Sequence, residues 1–354
     1  VLINSTGTGT LGRVGFFTES LGGIPCVADS HVTVARAKRD DLDPRFCYYW
    51  LSSRTFYHYM YEALVVGSTN QIELNRERLA YAPVPLPPLE EQRRIADFLD
   101  AETSRIDRLV SYREAQVELL RKKFDSLLIH TVLPRCGQQG WRATRLKYLF
   151  DFVNGGVWGE EPVGDGSDVR CVRVADFDRE GLRSDPEAPT ERNVSVALAG
   201  RRILCPGDVL LEKSGGGEKN PVGFAVTFDS HRKSICSNFV AMMRPVRGVN
   251  PRYVALLMAG FYKAGMNTPF IKQTTGIQNL DVGAYLAQRV LLPENNEQAE
   301  LAGFLDASLE RFRSIRSRMG HQIELLSERR QALITAAVTG QIDVTTASGR
   351  GIEE

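Results

Sequence analysis

The feature that most limits what this chain can fold into is a long internal repeat. Val84–Ala101 reads VPLPPLEEQRRIADFLDA and Val290–Ala307 reads VLLPENNEQAELAGFLDA. A shift of 206 positions aligns them without a gap, placing Glu91-Gln92 on Glu297-Gln298 and Phe98–Ala101 on Phe304–Ala307. The match continues with Glu118-Leu119-Leu120 over Glu324-Leu325-Leu326, Leu127 over Leu333 and Val132 over Val338. A repeat this long marks two copies of one structural unit rather than a short solenoid period.

Each copy predicts the same local structure. Ala82–Pro88 is proline-stiffened and extended. Pro88 suits a first helical position, with Glu90 and Glu91 in the first turn, where the helix dipole favours acids. Ile95, Phe98 and Leu99 make one apolar face of a short helix, and a second, longer helix follows. Thr103, Val110, Val117, Phe124 and Thr131 hold one heptad position; Leu99, Ile106, Arg113, Leu120 and Leu127 hold the other. In the second copy the positions are Leu309, Arg316, Ile323, Arg330, Ala337 and Leu305, Phe312, Met319, Leu326, Leu333. This apolar seam, interrupted by arginine and threonine, predicts a coiled coil about 30 residues long, roughly 45 Å at the α-helical rise. Two like helices in one chain most simply pair with each other. The alternative is that each packs on its own globular domain.

The segments ahead of the helices also repeat. Val1–Phe16 (VLINSTGTGTLGRVGF) aligns with Val209–Phe224 (VLLEKSGGGEKNPVGF) at a shift of 208, and Pro44-Arg45-Phe46 with Pro251-Arg252-Tyr253. In the first copy Val1–Ile3, Arg13–Phe17 and the alternating His31–Arg36 read as strands. Pro44 opens an aromatic-rich helix running to Leu64, and Val66–Gln71 reads as a polar loop. Pro134 stops the first long helix and Arg135–Gly140 is a linker to a second α/β region, Trp141 to about Arg289. That region has about seventy residues (Trp141–Asp208) ahead of the point matching Val1. Together with the missing initiator methionine, this leads to the expectation of a first domain truncated at its N-terminus.

The length of 354 residues suits two or three domains. A formal net charge of +1 means that any positive surface offered to nucleic acid must be local or shared with other subunits. Cys26, Cys47, Cys136, Cys171, Cys205 and Cys236 form no C-x-x-C pair, which favours free thiols in a reducing cytoplasm. His31, His58, His130, His231 and His321 show no metal-ligand spacing, so no metal is expected. No apolar run approaches the ~18 residues of a membrane span, and no signal peptide is visible.

Enzyme motifs are lacking where they would be needed. The turn Gly215–Asn220 lacks the G-K-[S/T] of a nucleotide-binding loop and leads into an apparent strand, so it reads as a strand-to-strand turn. Pro87-Pro88 is followed by Leu-Glu rather than the aromatic residue of an adenine methyltransferase motif. Asp208 with Glu212-Lys213 falls short of nuclease spacing and has no counterpart in the other half. Glu91-Gln92 and Glu297-Gln298 sit where capping and dipole complementarity explain them. The aromatic cluster Phe46–Tyr61 reads as helix packing rather than as a base-stacking platform.

What is left for ligand chemistry is a set of polar loops at matching places in the two copies. Ser5, Thr6, Thr8 and Thr10 carry hydroxyls suited to phosphate, and Lys213, Lys219 and Asn220 lie in the matching glycine-rich segment. Ser68, Thr69, Asn70 and Gln71 in the first copy, and Lys272, Gln273, Thr274, Thr275, Gln278 and Asn279 at the matching place in the second, are side chains suited to base edges or phosphates.

P-L-P-P-L-x-E-Q-R-x-I-A-x-F-L-D, the helix ending Glu328–Val344 and the G-D-V-L with its glycine-rich turn (Gly207–Gly217) resemble the specificity subunit of type I restriction–modification systems. The resemblance spans essentially the whole chain. It departs in the short first domain and in Pro293–Asn296, which replaces Pro87–Glu90. It implies a mixed α+β fold: two α/β target-recognition domains joined by two long helices in an antiparallel coiled coil, with a pseudo-two-fold repeat. The divisions are then a first recognition domain (1–83), helical region 1 (84–134), a second recognition domain (141–289), helical region 2 (290–344) and a tail (345–354). Coiled-coil positions carried over are Ile106, Val110, Val117, Leu120, Phe124, Leu127, Phe312, Met319, Ile323, Leu326 and Leu333. The family role is non-catalytic recognition of a bipartite double-stranded DNA target in the cytoplasm, for DNA modification and defence against foreign DNA. The implied partners are methyltransferase subunits, two of them, and restriction/translocase subunits. No cofactor is expected on this chain, S-adenosylmethionine residing on the methyltransferase. Two readings stand against it: a coiled-coil scaffold, and a stand-alone methyltransferase or nuclease.

Overall fold

The structure is a computed structural model. It describes all residues except Thr8, Ser20, Arg39, Thr69, Asn70, 134–139, Pro186, Ala188, Pro189, Thr275 and 346–354. The chain divides into two units, Val1–Val117 with Ser317–Glu354, and Glu118–Arg316. This division differs from a linear reading of domains, because each unit takes in part of both long helices.

In unit 1, β1 (Leu2–Asn4) lies between β2 (Val14–Gly15) and β3 (Val32–Val34), antiparallel to both. Asp43 then caps α1 (Pro44–Ser52), accepting from the amides of Arg45 and Phe46, with Pro44 in the first turn where its missing N–H costs nothing. The single helix expected from Pro44 to Leu64 is broken. Ser53 leaves helical conformation and its hydroxyl caps α2 (Arg54–Tyr59), which runs into a π-helical turn at Met60–Leu64. The polar loop expected at Val66–Gln71 belongs to a hairpin of β4 (Val65–Ser68) and β5 (Gln71–Leu74). A short α3 (Arg76–Ala80) precedes the extended prolines and α4 (Leu89–Val132).

Unit 2 carries the larger sheet. Its strands are β6 (Arg142–Arg145), β7 (Phe150–Gly155), β8 (Val169–Val172), β9 (Phe177–Asp178), β10 (Arg183–Ser184) and β11 (Glu191–Arg192). A turn of helix α5 (Val196–Ala199) leads to β12 (Val209–Glu212), β13 (Ala225–Thr227), β14 (Ser234–Cys236) and β15 (Val240–Pro245). The main sheet runs β7-β15-β12-β13-β10-β9, with β11-β8-β14 as a second sheet. Helix α6 (Pro251–Lys263), capped by Asn250, packs on it with residues Tyr253 to Phe261 buried. Then come β16 (Ile271–Thr274), β17 (Ile277–Leu280), α7 (Val282–Leu286), β18 (Arg289–Leu292), which pairs with β6, and α8 (Asn295–Val338).

The repeat is written into the strand register. Leu2↔Val34 in unit 1 and Leu210↔Met242 in unit 2 differ by 208 at both ends. Val65↔Leu74 and Ile271↔Leu280 differ by 206. Lys272–Asn279, expected as a loop, is therefore the second hairpin.

Both long helices are unbroken over 44 residues, so the expected short helix and its successor are one. In unit 1 the start of α4 meets the end of α8: Ile95, Leu99, Ile334, Ala337 and Val338 share one core, and Arg330 donates to Asp107 at 2.9 Å. In unit 2 the end of α4 meets the start of α8: Leu128, Val132, Ala302 and Leu305 share the other core, and Phe124 stacks on Phe312 at 5.7 Å. The pairing is antiparallel in each unit. Ile106 and Phe312 are buried, whereas Val110, Val117, Leu120, Phe124, Leu127, Met319, Ile323, Leu326 and Leu333 are half-buried. Near each C-terminal end the buried position moves by one residue, to Leu128 and Ile334 in place of Leu127 and Leu333. A straight helix repeats every 3.6 residues, so a strict heptad seam drifts off it. Arg316, placed on the seam by heptad counting, is exposed and pairs with Glu180.

Candidate nucleic-acid interface

In each unit one backbone device joins the turn after the first core strand to the hairpin. In unit 1 the Leu74 amide donates to the Ser5 carbonyl (2.9 Å), and Thr6 bridges Glu73. In unit 2 the Leu280 amide donates to the Lys213 carbonyl (2.8 Å), and Ser214 bridges Asn279. These pairs correspond at the same shifts of 208 and 206. Turn and hairpin, separate in sequence, form one surface in each unit.

The side chains on that surface divide by what they already do. Ser5 is buried, with its hydroxyl 2.5 Å from that of Thr33, so it belongs to the core and not to a ligand face. Gln278 is likewise buried and accepts from the Val222 amide. Both corrections follow from strand alternation, which turns every second residue inward. Thr6 bonds His31 Nδ1 (2.8 Å), and the Thr10 hydroxyl donates to the Thr6 carbonyl (3.1 Å), locking the turn. Asn279 is exposed, its Oδ1 accepting from Ser214. Lys219, Asn220 and Gln273 are exposed, and Lys213 is half-buried. Lys272 pairs with Asp281 at 2.7 Å, and this hydrogen bond holds the Asp281 carboxyl below its usual range. So exposed a pair is weakly held and exchangeable. Thr8, Thr69, Asn70 and Thr275 lie outside the described residues, as do the side chains of Ser68, Gln71 and Thr274.

Beneath the unit 2 surface, Glu212 is buried with Arg179 at 2.7 Å, and Arg179 lies over the Phe224 ring. Burial pushes the Glu212 carboxyl up, against the pull of Arg179.

The repeated Glu-Gln pair has a structural role that capping alone does not cover. Gln92 is 1% exposed; its Oε1 accepts from the Asp43 amide, and its Nε2 donates to the Asp41 and Pro87 carbonyls. Gln298 does the same between the Asn250 amide and the Pro293 carbonyl. Each glutamine thus ties the N-terminus of α1 or α6 to the start of a long helix. Arg45 to Asp100 and Arg252 to Asp306 add a second tie in each unit. The sequence signal was present in the repeated Pro-Arg and Leu-Asp pairs, but it needed the fold to join them.

The mixed α/β chain thus carries two like turn-and-hairpin surfaces and two long helices that pair antiparallel in each unit. The comparisons place it more closely. Residues 1–119 match the family model described as Type I restriction modification DNA specificity domain. A chain from work on complex assembly and conformational transition of the type I R-M system is similar over 88% of this chain and 75% of its own, at 19% identity and TM-score 0.69. The HsdS subunit of Thermoanaerobacter tengcongensis is similar over 88% and 74%, at 19% identity and TM-score 0.50. Comparison with curated protein sequences finds no match. The resemblance to type I specificity subunits read from the sequence therefore holds in the first 119 residues and in the fold.

Proposed function

We propose that this chain is the DNA-recognition subunit of a type I restriction–modification complex, with no catalysis of its own. The observation that carries the reading is the same turn–hairpin junction built in both units, the first within a segment matching a DNA specificity domain. Residues 1–83 and 141–289 each read half of a bipartite target, and the paired helices (84–134 and 290–344) form the spacer. Lys213, Lys219, Asn220, Gln273 and Asn279, with Thr69 and Asn70 in the first copy, supply contacts to bases and phosphates.

The outer face of the paired helices docks methyltransferase subunits. Leu109 and Leu325 are 45% and 49% exposed and line a groove of about 340 Å³ with Arg113 and Arg329, and Tyr112 on the same helix is 61% exposed. Base methylation then uses S-adenosylmethionine on those partners, and restriction/translocase subunits cleave. The partners also supply phosphate-neutralising charge that a chain of net charge +1 lacks.

The test is duplex binding across a salt series, with and without methyltransferase subunits, together with methylome sequencing of a host expressing the whole system. Bipartite methylation that disappears when the chain is deleted is expected. Absence of sequence-specific binding in both conditions would leave the scaffold reading, and methylation by the chain alone would revive the enzyme reading.

A further inference from the structure

Unit 1 contains a basic cleft that none of the candidate contacts above includes. It has a volume of about 510 Å³ and is lined by Arg13, Arg54, Arg330, Tyr48, Tyr57 and Gln331, with Gly12 and Ser52 at its wall. Among the described residues, no carboxylate lines it. Arg330 pairs with Asp107, but among the described residues neither Arg13 nor Arg54 has a carboxylate partner. Arg13 and Arg54 are both exposed.

The repeat supplies an internal control. With the turn at a shift of 208, the long helices at 206 and the helix opened by Pro44 and Pro251 at 207, unit 2 has Pro221 for Arg13, Phe261 for Arg54, Phe124 for Arg330, Ala255 for Tyr48 and Ala264 for Tyr57. There the junction is closed by apolar packing: Phe261 is 2% exposed and Phe124 stacks on Phe312. The fold therefore does not require guanidiniums or phenols at these positions. Their presence in unit 1 is a property of that unit.

The cleft is held in place from three sides. Arg13 follows Gly12 (φ +78°), where a Cβ would come within 2.3 Å of Met60, so the turn lies hard against the helix. The Arg13 guanidinium donates to the Gly9 carbonyl (3.2 Å), which fixes it at the end of the turn that carries Thr6 and Thr10. The Arg54 amide donates to Thr335 Oγ1 (3.1 Å), and Gln331 Nε2 donates to the Ser52 carbonyl (2.8 Å).

The geometry points to a phosphate-binding cleft, confined to unit 1, that grips the backbone of the bound duplex beside the β1–β2 turn. The planar fork of arginine matches phosphate oxygens, and two such forks without carboxylate partners are poised for an anion. A backbone phosphate is the occupant favoured by position, because Arg13 ends the very turn that joins the hairpin. The inference rests on the recognition reading above, and gives it an asymmetry: unit 1 adds sequence-independent grip that unit 2 lacks.

The experiment uses the full chain with its methyltransferase partners and fluorescence anisotropy of a target and a non-target duplex across a salt series. The variants are R13A, R54A, the double variant and R54K. Each lost phosphate contact is expected to reduce the slope of log Kobs against log salt by about 0.9. Affinity for target and non-target should fall by the same factor, with R54K keeping the wild-type slope because the charge remains but binding more weakly because the fork is lost. A wild-type slope in the double variant overturns the site, as does a loss confined to the target duplex, which would mean base reading. Loss of methyltransferase association with an unchanged slope would instead mean that a partner carboxylate occupies the cleft. Saturable binding of inorganic phosphate that the double variant loses, with an unchanged duplex slope, would mean a free-anion site. If the wild-type complex binds no duplex at all, the recognition reading falls and the site with it; unchanged variants in a binding complex overturn the site alone.

Discussion

Replacing Gln92 tests whether the repeated glutamine is a clamp. Its amide makes three hydrogen bonds, at 2.8 Å to the Asp43 amide, 3.0 Å to the Asp41 carbonyl and 2.8 Å to the Pro87 carbonyl. Truncation to alanine removes all three in a site that is 1% exposed. At about 1 kcal/mol net per neutral bond, with a further penalty for groups left without water, the expected cost is about 3 kcal/mol. That lowers the melting transition of a unit of this size by about 6–12 °C. Gln92→Glu is the sharper probe. A buried glutamate keeps the acceptor but loses the amide donor and brings a charge close to Asp43. Its folded pKa is then raised above the unfolded value of about 4.3. Below that value both states are protonated, and the neutral acid can accept from the Asp43 amide and donate to one of the two carbonyls, one bond fewer than glutamine makes. The penalty therefore grows as pH rises from about 4.3 through the raised pKa, and is complete above it. Calorimetry of both variants between acid and neutral pH measures it. A Gln92→Glu protein as stable as wild type at neutral pH, or one whose deficit does not shrink in acid, would refute the clamp.

Three further outcomes are expected. Gly260→Ala should destabilise unit 2 although alanine is the better helix former, because the new Cβ would lie 2.4 Å from the Val132 side chain. Val132→Ala should relieve that contact, giving a coupling energy of about 1–3 kcal/mol in a double-mutant cycle by chemical denaturation; additive effects would contradict it. Asp306→Ala leaves the Arg252 guanidinium, whose side chain is 12% exposed, with the neutral Gly181, Leu182 and Thr227 oxygens but without this carboxylate, and should cost about 3 kcal/mol. Asp306→Asn should recover part of it if hydrogen bonding matters, and equal loss in both would show that charge dominates. Burial pushes the Cys171 and Cys236 thiols up to about 11 and about 12, so a thiol reagent at neutral pH should label exposed Cys26 and Cys205 quickly and those two only on unfolding. Fast labelling of Cys171 in the folded protein would count against its burial.

The long helices were legible because their apolar spacing persists for dozens of residues, and no local accident hides such a signal. The two hairpins were not. The second hairpin has strands of four residues, Ile271–Thr274 and Ile277–Leu280, with polar residues on both faces, so alternation is too short to register against a polar loop. The glycine at 276, with φ +85°, was the available sign of a tight turn. The break at Ser53 was also hidden, since nothing in YYWLSSRTFY excludes a continuous helix. Tertiary contacts decide it: the Ser52 carbonyl is taken by Gln331 and the Arg54 amide by Thr335, both on α8. Ser5 and Gln278 were chosen as ligand contacts by residue type, whereas strand alternation turned both inward.

The repeat separates what the scaffold needs from what each copy does. Positions filled alike in both units, Gln92 and Gln298, Asp100 and Asp306, Arg45 and Arg252, all tie a long helix to α1 or α6. Positions that differ, Arg54 against Phe261 or Asn4 against Glu212, sit at or beside the candidate contact surfaces. A duplicated architecture carries two recognition surfaces only if it keeps the ties and frees the loops. The same logic weighs against a catalytic role for the repeated Glu-Gln, because in both copies the glutamine amide is spent on backbone groups. It also locates where a change of specificity could arise at little cost in stability: at exposed Lys219, Asn220 and Gln273, which the fold does not use, and not at Gln278, which it does.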